Sequence, residues 1–325
     1  MVYIIAEAGV NHNGKLDLAL QLVNIAKESG ADAIKFQTFK AIKLASQEAD
    51  KAQYQKESTD SNESQVDMLK KLELSYDEFR QVKEYCIKRE IEFISTPFDL
   101  ESADFLNELN VSTYKIGSGD LTNYPLLRKV AQTGKKMILS TGMSNMDEVE
   151  NSVKYVLNNG CKELVVLHCI SNYPTKNEDL NLNAIKTMKE KLASIKSDIE
   201  IGFSDHTEGI DASIYSVCTG ATFIEKHFTI SKRDKGVDSA FSMDIADLNN
   251  DGSPDLVFGN YGSPNFVYLN ESAGQIFQAV MLSDNAFNTY DIICGDLNGD
   301  GYLDVIEANS DDYNLYYFNR IGNQD

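Results

Sequence analysis

The sequence offers little sulfur chemistry. Its five cysteines, Cys86, Cys161, Cys169, Cys218 and Cys294, are odd in number and form no C-x-x-C pair. That argues against a disulfide framework and against a thiolate metal site, and buried free thiols are the simpler expectation. Long apolar runs are also missing. Stretches such as "ELVVLHCI" are far too short to span a bilayer. The opening "MVYIIAEAGV" has no basic segment and carries Glu7 early, unlike a secretory leader. A soluble cytoplasmic protein without a membrane partner is expected. Positive charge is scarce as well. The net charge is −20, and from Asp244 onward there are 14 acidic residues against the single basic Arg320, leaving 36 acidic and 29 basic before it. Such a chain is a poor ligand for nucleic acid.

What is present falls into two textures. Residues 1–229 alternate short β-rich runs ("YIIAE", "AIKFQ", "EFIST", "TYKI", "MILS", "LVVLHC", "IEIGF", "FIEKHF") with amphipathic helical stretches such as "LDLALQLVNIAKESG", which ends at the helix stop Gly30. Eight such units predict a parallel α/β fold, a closed (β/α)₈ TIM barrel at about 250 residues. A doubly wound open sheet is the structural alternative. One long polar interruption, "AIKLASQEADKAQYQKESTDSNESQ", lies after the second strand, either as a lid over the barrel mouth or as a solvated insertion.

From residue 244 the helical period stops and a repeat of 49 residues begins: "DLNNDGSPDLVFGN" at 247–260 and "DLNGDGYLDVIEAN" at 296–309, each followed by a β-rich run. In both, carboxylates and an amide alternate as D-x-N-x-D-G-x-x-D. Asp247, Asn249, Asp251 and Asp255, and then Asp296, Asn298, Asp300 and Asp304, are candidate oxygen ligands for Ca²⁺, with Gly252 or Gly301 making the turn. An EF-hand is the alternative for the second loop, because Glu307 stands at its twelfth position. Two domains are expected, a barrel over 1–243 and an all-β calcium-repeat segment, a partial propeller, over 244–325.

In a TIM barrel the C-terminal strand ends face the active site. Here those ends carry Glu7, Lys35 with Gln37, Thr96, Lys115 with Ser118, Ser140, His168, Ser204 with His206, and His227. Two lysines and several hydroxyls suit a substrate bearing phosphate and carboxylate. Gly117, Gly119 and Gly142 let backbone N–H groups approach such an anion. His206 and His227, on consecutive strands, can share one divalent cation, with zinc, iron and manganese all compatible. Glu7 is a candidate base or holder of a metal-bound water.

The runs "IIAEAGVNHNG", "IKFQT", "FISTPFD", "YKIGSGDLTNYPLL", "ILSTGM", "HCISNYPT", "GFSDHT" and "IEKHFT" resemble, in order, the N-acetylneuraminate (sialic acid) synthase family over about residues 1–243. Legionaminic and pseudaminic acid synthases share most of these motifs. The resemblance implies condensation of phosphoenolpyruvate with N-acetylmannosamine or a related amino sugar, consuming water and releasing phosphate. It implies that Lys35, Thr96, Lys115, Ser118, Ser140, Ser171 and Ser204 hold phosphoenolpyruvate. Gln37, Tyr173 and Asp238 would contact substrate, the last two through sugar hydroxyls. His206 and His227 would bind Mn²⁺ or Mg²⁺, Glu7 would position or deprotonate water, and His12 and His168 would be structural.

Members of this family continue with an eighth helix, a linker and a small antifreeze-like domain that completes a homodimer and places an arginine on the sugar. Here "FSMD" runs straight into "IADLNNDG", so a barrel without its last helix, a weakened dimer and impaired activity are expected. The tail resembles FG-GAP/VCBS calcium-binding repeats. The rival reading is therefore a chimeric chain with adhesion-type repeats and an inactive barrel.

Overall fold

The computed structural model describes residues 2–46, 49, 51, 63–207 and 209–230. Of the C-terminal part it describes 243–244, 248, 255–258, 264–270, 277–282, 284, 289–295, 297–298, 302–309 and 313–319. Eight parallel strands, β1 (Tyr3–Gly9), β2 (Ala33–Thr38), β3 (Glu92–Pro97), β4 (Thr113–Ile116), β5 (Lys136–Ser140), β6 (Leu164–Cys169), β7 (Glu200–Asp205) and β8 (Phe223–Thr229), pair in chain order. β1 also pairs with β8, Tyr3 opposite Phe223, so the sheet closes and the open-sheet alternative falls.

The sequence marks its own helix ends. Ser75 and Glu78 form a reciprocal capping box at the start of α4 (Tyr76–Arg89), as do Asn145 and Glu148 at the start of α7 (Met146–Asn158). The helix α1 (Leu16–Glu28) stops before Gly30, whose φ of 78° suits glycine. The other helices are α2 (Ala41–Leu44), α3 (Gln65–Leu72), α5 (Leu100–Glu108), α6 (Tyr124–Ala131), α8 (Asn183–Ala193) and α9 (Asp211–Cys218). Their apolar stripes pack on the outward faces of the strands, as at Leu22, Val82 and Leu127. None of the described helices is long and apolar enough to cross a membrane.

Strand parity sorts the rest. Ile5, Ala33, Ile94, Ile138, Val165, Leu167 and Phe223 point inward and form a separate apolar core within the barrel. Gly202 is part of this packing: a Cβ there would lie 2.5 Å from the Phe223 carbonyl oxygen and 2.6 Å from Leu167 Cδ2. The next inward positions toward the C-terminal ends are polar.

The two ends of the long insertion are ordered. Val10, Phe39, Ala41, Met68, Leu69 and Leu72 form an apolar cluster. Glu73 ties the two ends together by accepting from Ala41 N at 2.9 Å and Lys40 Nζ at 2.8 Å. These segments are packed structure rather than solvated chain, and the middle of the insertion lies outside the described residues.

Among the described residues no helix follows β8. The next element, β9 (Met243–Asp244), pairs with β8 in parallel. Beyond it lie two antiparallel three-stranded sheets, one per sequence repeat. The first contains β10 (Leu256–Phe258), β11 (Phe266–Asn270) and β12 (Phe277–Met281), and the second β13 (Thr289–Gly295), β14 (Asp304–Asn309) and β15 (Leu315–Tyr317). Leu248, Val267 and Val305 are the buried centre of a small shared core. Residues 304–309 form a strand, which removes the EF-hand alternative, since that motif needs a helix leaving the loop.

Candidate active site

The polar layer above the apolar core holds a chain of buried charges. Lys35 Nζ lies 2.7 Å from Glu7 Oε2 and 3.7 Å from Glu225 Oε2, and Lys115 Nζ lies 3.1 Å from Glu225 Oε1. All four residues are at most 4% exposed. Ser204 Oγ donates to Glu225 Oε1 at 2.8 Å, Lys35 Nζ to Thr96 Oγ1 at 3.4 Å, and Gln37 Nε2 to Glu7 Oε1 at 3.4 Å. Strand register explains the meeting: Glu7 stands opposite Lys35 on one side and His227 on the other, and Ser204 stands opposite Glu225. The register shifts between Glu7 and Gly9, an irregularity of the kind a bulge produces.

Two lysines and two glutamates leave the layer formally neutral, and the low dielectric tunes each group. Burial raises the Glu7 carboxyl above the ordinary range, with the Glu225 charge adding to it against the pull of Lys35. Burial alone would raise Glu225, but Lys115 and Lys35 outweigh it and hold that carboxyl low. Burial pulls Lys115 below the usual ammonium range despite Glu225. Two carboxyls driven in opposite directions are a recurring arrangement where one must handle a proton and the other must hold charge.

A second cluster sits beside the first. Gly142 N donates to Ser118 Oγ at 3.0 Å, and a Cβ at Gly142 would lie 2.2 Å from Ser171 Oγ and 2.9 Å from Ser118 Oγ. Glycine at 142 thus brings both hydroxyls and an amide to one spot. Ser140 is 2% exposed, and its hydroxyl has no hydrogen-bond partner. An unsatisfied buried hydroxyl at the C-terminal end of β5 fits an incoming anion.

The imidazoles complete the rim. The rings of His206 and His227 lie 5.6 Å apart by centroid, and Tyr173 packs on His206 at 4.2 Å. His206 Nδ1 lies 2.8 Å from the Ile170 carbonyl oxygen and 3.7 Å from Cys169 Sγ. A carbonyl can only accept, so Nδ1 carries a proton in that contact. Burial works against charge on His206, but the Cys169 thiol and the Ile170 carbonyl outweigh it and raise its pKa. Burial, with His206 and Lys35 nearby, holds His227 well below the usual range and so neutral. Among the described residues no three His, Cys, Asp or Glu side chains converge as a ready metal centre. The two histidines nevertheless fit a cation that takes its other ligands from substrate and water.

Other expected residues separate from the cluster. His168 faces outward, with Nε2 2.8 Å from the Leu180 carbonyl oxygen. His12 is buried, accepting from Gly14 N at 3.1 Å through Nδ1. Asp238 lies outside the described residues, as do Asp247, Asn249, Asp251, Asp296 and Asp300. Of the calcium candidates that are described, Asn298 is exposed. Asp255 Oδ2 accepts from Leu248 N at 2.7 Å, and Asp304 accepts from Leu297 N at 2.9 Å and Asn319 N at 2.8 Å. The last aspartate of each motif therefore accepts a backbone amide from the start of its own loop. Sequence reading missed Glu225. The signal was available: it stands two residues before His227 and so shares its inward face.

The NeuB family model matches residues 22–250, and an FG-GAP-like repeat model matches 247–307. The chain belongs to the NeuB family. An uncharacterised protein of Methanocaldococcus jannaschii is 51% identical over 242 residues, covering 74% of this chain and 66% of that protein. An N,N'-diacetyllegionaminic acid synthase of Campylobacter jejuni is 46% identical over 247 residues, covering 75% of this chain and 72% of that one. The crystal structure of an N-acetylneuraminic acid synthetase from Leptospira borgpetersenii superposes with a TM-score of 0.65 at 36% identity, covering 75% of this chain and 78% of that one. The chain thus spans about two thirds to three quarters of the length of these NeuB relatives, and the FG-GAP-like match lies largely beyond the NeuB match.

Proposed function

We propose that the barrel condenses phosphoenolpyruvate with an N-acyl amino sugar of the N-acetylmannosamine type, giving a nonulosonic acid of the sialic or legionaminic kind and inorganic phosphate. The observation that carries this is the buried Glu7–Lys35–Glu225–Lys115 layer at the mouth of the barrel. At the C-terminal end of β5 stand the unsatisfied Ser140 hydroxyl and the Gly142 cradle. Lys35, Lys115, Thr96, Ser118, Ser140, Ser171 and Ser204 hold the phosphate and carboxylate, and Gln37 and Tyr173 face the sugar. His206 and His227 would hold a divalent cation, Mn²⁺ or Mg²⁺, which would supply polarisation of the sugar aldehyde. The charge balance favours such an ion, because the resident lysines are already matched by glutamates and the substrate brings further negative charge.

The enol carbon of phosphoenolpyruvate forms the new C–C bond to the aldehyde carbon. Glu7, whose carboxyl burial raises above its ordinary range, positions or deprotonates the water that adds to C2. Breaking the C2–O bond then releases phosphate and leaves the 2-keto acid. The division at 243/244, a cytoplasmic location and a homodimer belong to the same proposal, as does calcium binding by the repeats. Calorimetry tests the anion site: the full chain with Mn²⁺ should bind phosphoenolpyruvate, and Lys115→Met should weaken binding at least tenfold. Equal affinity in the two would refute the assignment.

A further inference from the structure

Behind the two histidines lies a buried ion pair that the reaction above does not use. Asp205 and Lys226 face away from the barrel interior, stand opposite each other in the β7–β8 register, and are each the residue immediately before a histidine. Asp205 is 0% exposed and Lys226 5%. Lys226 Nζ lies 3.4 Å from Asp205 Oδ1 and also donates to the Thr207 carbonyl oxygen. Asp205 Oδ1 accepts from Thr207 N at 2.8 Å and Thr207 Oγ1 at 2.7 Å, and Oδ2 accepts from Ser213 Oγ at 2.6 Å. His206 is thereby gripped on both sides along the chain. Its own carbonyl oxygen accepts from Thr175 N at 2.9 Å, and Thr175 bridges to Thr207.

We infer that Asp205 and Lys226 are positioning residues. They lock the backbones that carry His206 and His227 at a fixed separation, so that the two imidazoles meet one divalent cation without reorganisation. The physical reason is geometric. The β7–β8 register ends at the Asp205–Lys226 pair, so backbone pairing with β8 does not itself fix His206 and Thr207. The Asp205 turn fixes Thr207, and Lys226, anchored on β8, holds both Asp205 and the Thr207 carbonyl. A separation set by a satisfied, buried network is stiffer than one set by loop packing. This inference rests on the proposal that the histidine pair binds a cation, and Asp205 and Lys226 touch neither substrate nor metal in it.

The test uses the full chain without substrate. Mn²⁺ affinity is measured by titration followed by electron paramagnetic resonance, and Co²⁺ is used as a visible-absorption probe of coordination geometry. Lys226→Met and Asp205→Ala should weaken Mn²⁺ binding about 10–100-fold and alter the Co²⁺ spectrum. Asp205→Asn keeps an oxygen acceptor for Thr207 and should fall between Asp205→Ala and the parent. It also serves as the variant of record if Lys226→Met does not fold, judged by circular dichroism. If the parent binds Mn²⁺, His227→Ala abolishes that binding, and folded Asp205 and Lys226 variants match the parent in affinity and spectrum, the positioning role is wrong while the metal assignment stands. If the parent binds no Mn²⁺, or His227→Ala leaves binding unchanged, the metal assignment fails and this inference falls with it.

Discussion

Replacing Glu225 by glutamine should expose how the charged layer is balanced. At 3.1 Å and an effective dielectric of 20, the attraction between Glu225 and Lys115 is about 5 kcal/mol, and that to Lys35 at 3.7 Å is about 4 kcal/mol. Most of this offsets the cost of burying the charges. What remains visible on breaking a buried pair is about 3–5 kcal/mol, because an ammonium is left without its counter-charge. Glutamine keeps the acceptor for Ser204, so the hydrogen bond is a small part of the change. Urea unfolding of the parent, Glu225→Gln, Lys115→Met and the double variant forms a cycle. The double variant should be more stable than the sum of the single losses implies, by at least ~1 kcal/mol. A Glu225→Gln variant within ~1 kcal/mol of the parent, or a strictly additive cycle, would refute the reasoning. The pH dependence has a fixed sign. The folded pKa of Glu225 is depressed, so its contribution is present above the unfolded value of about 4.3 and is lost as pH falls below it.

His12 gives the same sign by a different cause: burial pushes its pKa down to about 4, so the unfolded chain takes up its proton first on acidification. Its contribution makes stability rise from about pH 4 to 6.5 by up to ~3 kcal/mol and then level off, and His12→Gln should flatten that slope in pH-dependent melting. Gly142→Ala puts a methyl 2.2 Å from Ser171 Oγ. It should weaken phosphoenolpyruvate binding at least tenfold by calorimetry, and unchanged affinity would remove Gly142 from the anion site. Asp304→Ala removes the acceptor of two backbone amides and should destabilise the C-terminal sheets by about 1–3 kcal/mol, read as lost amide-exchange protection over 289–319.

The strands were legible because their period and spacing are local properties of the chain. Lys35, Lys115, Ser140 and the two histidines were legible for a similar reason, since a barrel assigns strand ends a common face. The pairing of the lysines was not. Glu7 and Glu225 come together only through closure of β1 on β8, which joins opposite ends of the barrel, and the sequence shows free cations where the fold has neutralised ones. Asp205 and Lys226 were hidden differently: read linearly they are two charged residues in strands, and only register shows that each faces the other. Asp255 and Asp304 read as loop ligands, but a motif does not reveal that their oxygens also accept amides from their own loops.

The chemistry of the barrel decides between a synthase and an inactive domain. The direct measurement is turnover of phosphoenolpyruvate and N-acetylmannosamine with Mn²⁺ in ¹⁸O-enriched water, followed by mass analysis of the phosphate. Breaking the C2–O bond leaves all four original oxygens on phosphorus, so the phosphate should carry no solvent label, and its release should require the sugar and fall at least 100-fold in Glu7→Gln. Phosphate that acquires one solvent oxygen, or no sugar-dependent release at all, would contradict the assignment of this barrel as a synthase.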